Sequence, residues 1–125
     1  RNYLLGELKD YGYAVEHADA IEYDYSGARV VILADILEHV PYPKGLLKRI
    51  REKLNGALFV SCPNTDSVVW KYLDRRGDNP YWVELEHYHN FTRKRLEALL
   101  VECGFTPVNY GISPRYTACM EIIAV

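Results

Sequence analysis

Residues 29–39 read RVVILADILEH, and this stretch decides the fold. From Arg29 to Ala34 the chain is an unbroken apolar, β-branched run, the pattern of a strand buried on both faces of a parallel sheet. Downstream, Pro41 and Pro43 break the backbone. Leu46, Leu47, Ile50 and Leu54 then mark one apolar helix face, with Lys48, Arg49, Arg51, Glu52 and Lys53 mostly opposite, until Asn55-Gly56 stops the helix. The second strand is 57–61, closed by Cys62-Pro63-Asn64. Upstream, Leu4, Leu5, Leu8 and Tyr11 repeat at helical spacing before Gly12, and 13–18 reads as a short strand ending at Asp19-Ala20. Strand and helix alternate, which predicts βαβ units.

The C-terminal third predicts a different pairing. Thr92 is an N-cap candidate, with Phe91 and Leu96 placed as a hydrophobic staple. Leu96, Leu99 and Leu100 give the buried face, and Gly104 ends the helix. Stretches 106–112 and 116–125 read as strands whose short Ser113-Pro114-Arg115 connection requires an antiparallel pair. The expectation is an α/β fold, one domain over 1–125. It has about five strands, three of them parallel, helices on the faces and an antiparallel C-terminal pair.

The 125 residues carry 49% hydrophobic and 26% charged residues, a folded globular balance. Fifteen Lys and Arg against 17 Asp and Glu leave a net charge of -2. No basic excess exists for a phosphate backbone or an anionic membrane, so neither a nucleic-acid nor a membrane partner is expected. No apolar run approaches the ~20 residues of a bilayer span, and no signal-peptide pattern opens the chain. Cys62, Cys103 and Cys119 are an odd set without C-x-x-C spacing, so reduced thiols and a cytoplasmic location are expected.

Ligands of open parallel sheets bind beyond the carboxyl ends of the strands. Three such ends stand out: Asp19-Ala20, the Asp35, Glu38 and His39 set, and Cys62-Pro63-Asn64. Helical turning would put positions 35, 38 and 39 on one face, where two carboxylates and an imidazole suit a divalent cation or acid–base work. The same spacing also suits a solvated first helical turn, whose dipole favours acids. A second cluster, Glu84-Leu-Glu-His-Tyr-His89, puts His87 and His89 on one side of an extended segment. It follows an irregular stretch, 65–89, that is rich in aromatics (Trp70, Tyr72, Tyr81, Trp82, Tyr88) and has room for a short helix over 68–73.

Residues 29–64, RVVILADILEHVPYPKGLLKRIREKLNGALFVSCPN, followed by His87-x-His-x-Phe-Thr92, a helix and Gly104-Phe105, resemble class I S-adenosylmethionine-dependent methyltransferases. The likeness covers 14–125 and is closest to the branch with an LEH turn after the fourth strand, which includes the ubiquinone-biosynthesis O-methyltransferases. It implies a Rossmann-like sheet, S-adenosylmethionine as methyl donor and a small-molecule acceptor. It implies that Asp19 and Ala20 face the adenine and that Ala34, Asp35 and Ile36 lie alongside the cofactor. Glu38 and His39 then face the acceptor, with His87 and His89 closing over it. His39 is the first candidate base, His87 or His89 the next, and Glu38 the group that orients. The aromatic insert 70–88 would cover the acceptor or serve as ordinary packing.

The family's Gly-rich first turn is missing. Glycines stand at 6, 12, 27, 45, 56, 77, 104 and 111, and no pair has G-x-G spacing. The resemblance therefore implies the C-terminal part of a longer methyltransferase, with weak or no cofactor binding by these 125 residues alone and an exposed apolar flank along 29–34 or 14–17. Two alternatives stand beside it. One is a degenerate, non-catalytic Rossmann-like binding module. The other is a metal-dependent methyltransferase of RNA 3′-terminal riboses, a branch that holds a divalent metal with an acid-x-x-Glu-His set and a later histidine. Asp35 replaces the longer acid of that pattern and the charge balance offers no RNA footprint, so acid–base use is favoured over metal and no metal ligand is assigned. Asp35, Glu38, His39 and at least one of His87 and His89 are expected to meet in one pocket.

Overall fold

The computed structural model describes residues 7–16 and 18–125. Four strands form its sheet: β1 (Val30–Ala34), β2 (Ala57–Pro63), β3 (Pro107–Ile112) and β4 (Cys119–Ala124). β1 and β2 are parallel, in register from Val30 opposite Ala57 to Ala34 opposite Ser61. β4 returns antiparallel between β2 and β3, giving the order β1-β2-β4-β3. The C-terminal antiparallel pair is thus present, with its second strand inside the sheet and its first at the edge.

Three helices connect the strands: α1 (Pro43–Lys53), α2 (Val68–Arg76) and α3 (Arg93–Glu102). Pro43 starts α1 rather than breaking the chain, because the first helical position needs neither its N–H nor a free φ. Ser67 caps α2 by accepting from Trp70 N, and α2 runs on to Arg76, past the expected 73, until Gly77 takes φ +73°. Thr92 caps α3 by accepting the Arg95 N–H at 3.1 Å, and both Phe91 and Leu96 are buried.

One face of the sheet carries the core. Leu46, Leu47 and Ile50 of α1 and Leu96 and Leu100 of α3 pack with Val31, Leu33, Leu58, Val60 and Ile122. β1 is therefore buried on one face only among the described residues, not on both. Val30 and Ile32 are 58% and 64% exposed on the other, the apolar flank the sequence implied.

The expected strand over 13–18 is not found. Residues 13–16 and 18 have no strand pairing, and His17 lies outside the described residues. A strand needs a partner for its N–H and C=O groups, and no described strand adjoins β1 on the side away from β2 to begin one. Of the expected first helix, residues 7–10 are helical, while Leu4 and Leu5 lie outside the described residues. All three cysteines are free and buried.

Candidate active site

The end of β1 is shaped by Asp35. Its N–H donates to Ser61 O at 3.0 Å, the last rung toward β2, and its backbone takes φ +51°. That left-handed residue turns the chain sharply into a 3₁₀ turn, Leu37–His39. Leu37 enters the core, and Glu38 is drawn in beside it until only 1% of its surface is exposed. His39 stays half-buried at the rim.

The insert after β2 folds back onto this turn. Tyr88 N and His89 N donate to Glu38 O at 2.9 and 3.2 Å. His39 Nδ1 lies 2.9 Å from Glu86 O. A carbonyl can only accept, so Nδ1 carries the proton and the imidazole lone pair sits on Nε2. The His87 ring meets His39 edge-on at 4.6 Å between centroids. Tyr81 stacks behind His87 at 6.1 Å and Trp70 behind Tyr81 at 4.9 Å. The aromatic insert is therefore a ladder that holds His87 against His39.

Asp35, Glu38, His39 and His87 line one cavity of about 170 Å³ with Tyr81 and Cys119. One ligand atom from each of Glu38, His39 and His87 lies within 4.8 Å of the others. Burial pushes the Glu38 carboxyl up to about 7, with the nearby Asp35 adding to the rise and His39 opposing it. Burial, and then the neighbouring His39, hold His87 below the ordinary imidazole range. Burial also pushes the Cys119 thiol up to about 11, which keeps it protonated and inert. Glu38 Oε2 and His87 Nδ1 are buried without a hydrogen-bond partner.

Two larger cavities lie near the end of β1. One, of about 580 Å³, is lined by Asp35, Ile36, His39, Val40, Leu85 and Tyr88. The other, of about 620 Å³, is lined by Ala20, Tyr25, Val31, Ile32 and Ile36. Ile36, just past the end of β1, lines both. Among the expected site residues, Asp35, Glu38, His39 and His87 come together, as do Ala20 and Ile36. Ala34 is exposed at the strand end. Asp19 lines a neighbouring cavity with Glu16, Ala18 and Tyr23, and its Oδ1 accepts the Ile21 N–H at 2.7 Å, within its own turn. His89 is set apart, with Nε2 3.2 Å from Pro41 O and its ring beside Phe91. Sequence reading missed Cys119, which reaches the cluster only through the β2–β4 pairing. It saw Tyr81 only as one of several aromatics.

The chain matches the methyltransferase-domain family over residues 5–110. It belongs to that family. Solved structures agree on the Rossmann-like fold. Magnesium protoporphyrin IX methyltransferase from Synechocystis PCC 6803, solved with bound S-adenosylhomocysteine, superposes with a TM-score of 0.73 at 16% identity, over 99% of this chain and 60% of that one. A S-adenosylmethionine-dependent methyltransferase from Thermotoga maritima gives 0.71 at 15%, over 98% and 68%. An O-methyltransferase family 2 protein from Planctomyces limnophilus, in complex with apigenin, gives 0.68 at 13%, over 86% and 33%. The chain thus spans 60% of the first of these methyltransferases and a third of the last. No curated protein matches the chain.

Proposed function

We propose that the protein transfers a methyl group from S-adenosylmethionine to an oxygen of a small-molecule acceptor, as in the LEH-turn branch of the family. The observation that carries this reading is the placement of His39. It lines both the small cavity of the acid cluster and the larger open cavity beside it. Its Nδ1–H is tied to Glu86 O, which leaves the Nε2 lone pair for a proton.

The residues present fit part of the methyl donor. Ala20, Tyr25, Val31 and Ile36 line an apolar cavity suited to the adenine side, whereas no G-x-G turn for the methionine part stands in this sequence. The donor supplies an electrophilic methyl on a sulfonium sulfur. The chain's own residues orient the acceptor and take its proton. Leu85 and Tyr88 form the apolar wall of the acceptor cavity, and Asp35 and His39 its polar end. As the acceptor oxygen bonds to the methyl carbon, the carbon–sulfur bond would break, the neutral thioether would leave with the bonding pair, and the hydroxyl proton would pass to His39 Nε2. Removal of that proton favours oxygen acceptors, whose hydroxyls otherwise stay protonated at neutral pH. Glu38, fixed through its carbonyl by Tyr88 N and His89 N, holds the turn that presents His39. Much of the acceleration would come from alignment, with the base adding about 10²–10⁴-fold.

Methyl transfer by the intact protein, assayed across candidate phenols and alcohols with labelled donor, tests this reading. His39→Ala should lower kcat by about 10²–10⁴-fold with little change in donor binding. Unchanged kcat would remove His39 from the chemistry.

A further inference from the structure

The small cavity of about 170 Å³ holds polar atoms that methyl transfer leaves unused. Glu38 is only 1% exposed, yet its Oε2 is buried without a partner, and so is His87 Nδ1. Buried polar atoms are ordinarily paired, because a bare one costs its full desolvation. A polar atom of Glu38 lies within 4.8 Å of one of His87. A single nitrogen donor about 2.9 Å from each would bridge a gap of that size.

The field in this cavity has one sign. Asp35 lines it too, and its carboxylate makes no hydrogen bond or ion pair among the described residues. After burial, which leads for Glu38, His87 and Cys119 alike, the carboxylates of Asp35, Glu38, Glu84, Glu86 and Glu121 act on these groups, and His39 is the one basic residue among the described residues that does so. Among the described residues, no lysine or arginine lines this cavity or the larger one of about 580 Å³. Arg115 lies over the Tyr116 ring at 5.0 Å, outside both linings.

We propose that the small cavity binds the protonated primary amine of the methyl acceptor, which is then a hydroxyl compound with a short aminoalkyl arm. A primary ammonium brings three N–H donors and no acceptor. It gives one to Glu38 Oε2 and one to His87 Nδ1, while Asp35 adds charge. Burial, then His39, hold His87 below the ordinary imidazole range, so its ring is neutral and keeps one acceptor nitrogen. Asp35 and His39 also line the larger cavity, where Ile36, Val40, Leu85 and Tyr88 form an apolar wall for the acceptor's body. An anionic substituent meets the same carboxylates and is rejected. Naming the acceptor rests on the reading of His39 as base; the amine site does not.

Tyramine, tyrosol and phloretate carry an ammonium, a hydroxyl and a carboxylate on the same two-carbon phenol arm. Calorimetry at pH 8 reads their binding to the intact protein without methyl donor, so the donor's own sulfonium plays no part. Tyramine should bind at least about tenfold tighter than tyrosol, with phloretate weakest. Glu38→Gln and Asp35→Asn should each cut tyramine's advantage to about threefold or less. Unchanged tyrosol binding reports an intact cavity in both, and asparagine tolerates the left-handed backbone of Asp35. Glu52→Gln on α1 makes the same change in net charge, lines neither cavity and should leave the ranking as it is. Equal binding of the three phenols, or none, overturns the amine site, as does a ranking that survives both cavity variants. Methyl transfer should follow the same order; a preference for tyrosol or phloretate would overturn the naming of the acceptor. Tyramine methylation that is unchanged in His39→Ala would sink the base and leave the amine site standing.

Discussion

Glu38→Gln should make the protein more stable at alkaline pH. The carboxyl sits in the core beside Leu37, and Oε2 has no partner. Burial raises its folded value from 4.5 to about 7. The folded state therefore holds a proton that the unfolded chain has released across that window. Stability falls as pH rises from about 4.5 to about 7 and stays low above it. At 1.36 kcal/mol per unit, ionised Glu38 costs up to about 3 kcal/mol at pH 8. Glutamine has nearly the same shape and carries no charge. Urea unfolding at pH 5 and pH 8, followed by circular dichroism, should give similar midpoints at pH 5. At pH 8 the variant should be the more stable by about 1–3 kcal/mol. A stability difference independent of pH, or a less stable variant at pH 8, would refute the account of Glu38 as a buried, uncompensated acid.

Other expectations follow from the packing and the sequence. Leu47→Ala empties a fully buried position between α1 and the sheet, and should cost about 2–5 kcal/mol by urea unfolding. Gly56→Ala should cost about 1–3 kcal/mol in the same assay, because its Cβ would meet the Arg29 carbonyl at the start of the β1–β2 pair; an unaffected midpoint would show that this junction yields freely. The 125-residue chain should bind S-adenosylmethionine weakly or not at all, since only the adenine side is furnished; calorimetry giving a low-micromolar Kd would contradict this.

Local rules exposed most of the architecture. The apolar run 29–34, the helix face through Leu46 and Ile50, the Thr92 cap and the antiparallel pair all rest on periodicity, capping or loop length, which a single sequence carries. The failures share another cause. The 13–18 stretch has strand composition, but pairing depends on a neighbour that composition does not reveal. β1 reads as buried on both faces because Val30 and Ile32 are as apolar as Val31 and Leu33; which face is covered depends on where the helices pack. In the site, Asp35, Glu38 and His39 are legible because one short turn holds them. His87 was separable from His89 only in three dimensions, where the Trp70–Tyr81 stack aims one ring at His39 and a contact with Pro41 O turns the other away. Cys119 was out of reach because it stands 80 residues from His39.

The central claim is that methyl transfer takes place where the end of β1 meets the folded-back insert. A crystal structure of the intact protein with S-adenosylhomocysteine tests it most directly. The account predicts the adenine beside Ala20 and Ile36, with the sulfur facing the cavity of Asp35, His39, Leu85 and Tyr88. A ligand bound elsewhere, or one whose sulfur is walled off from His39, would contradict it.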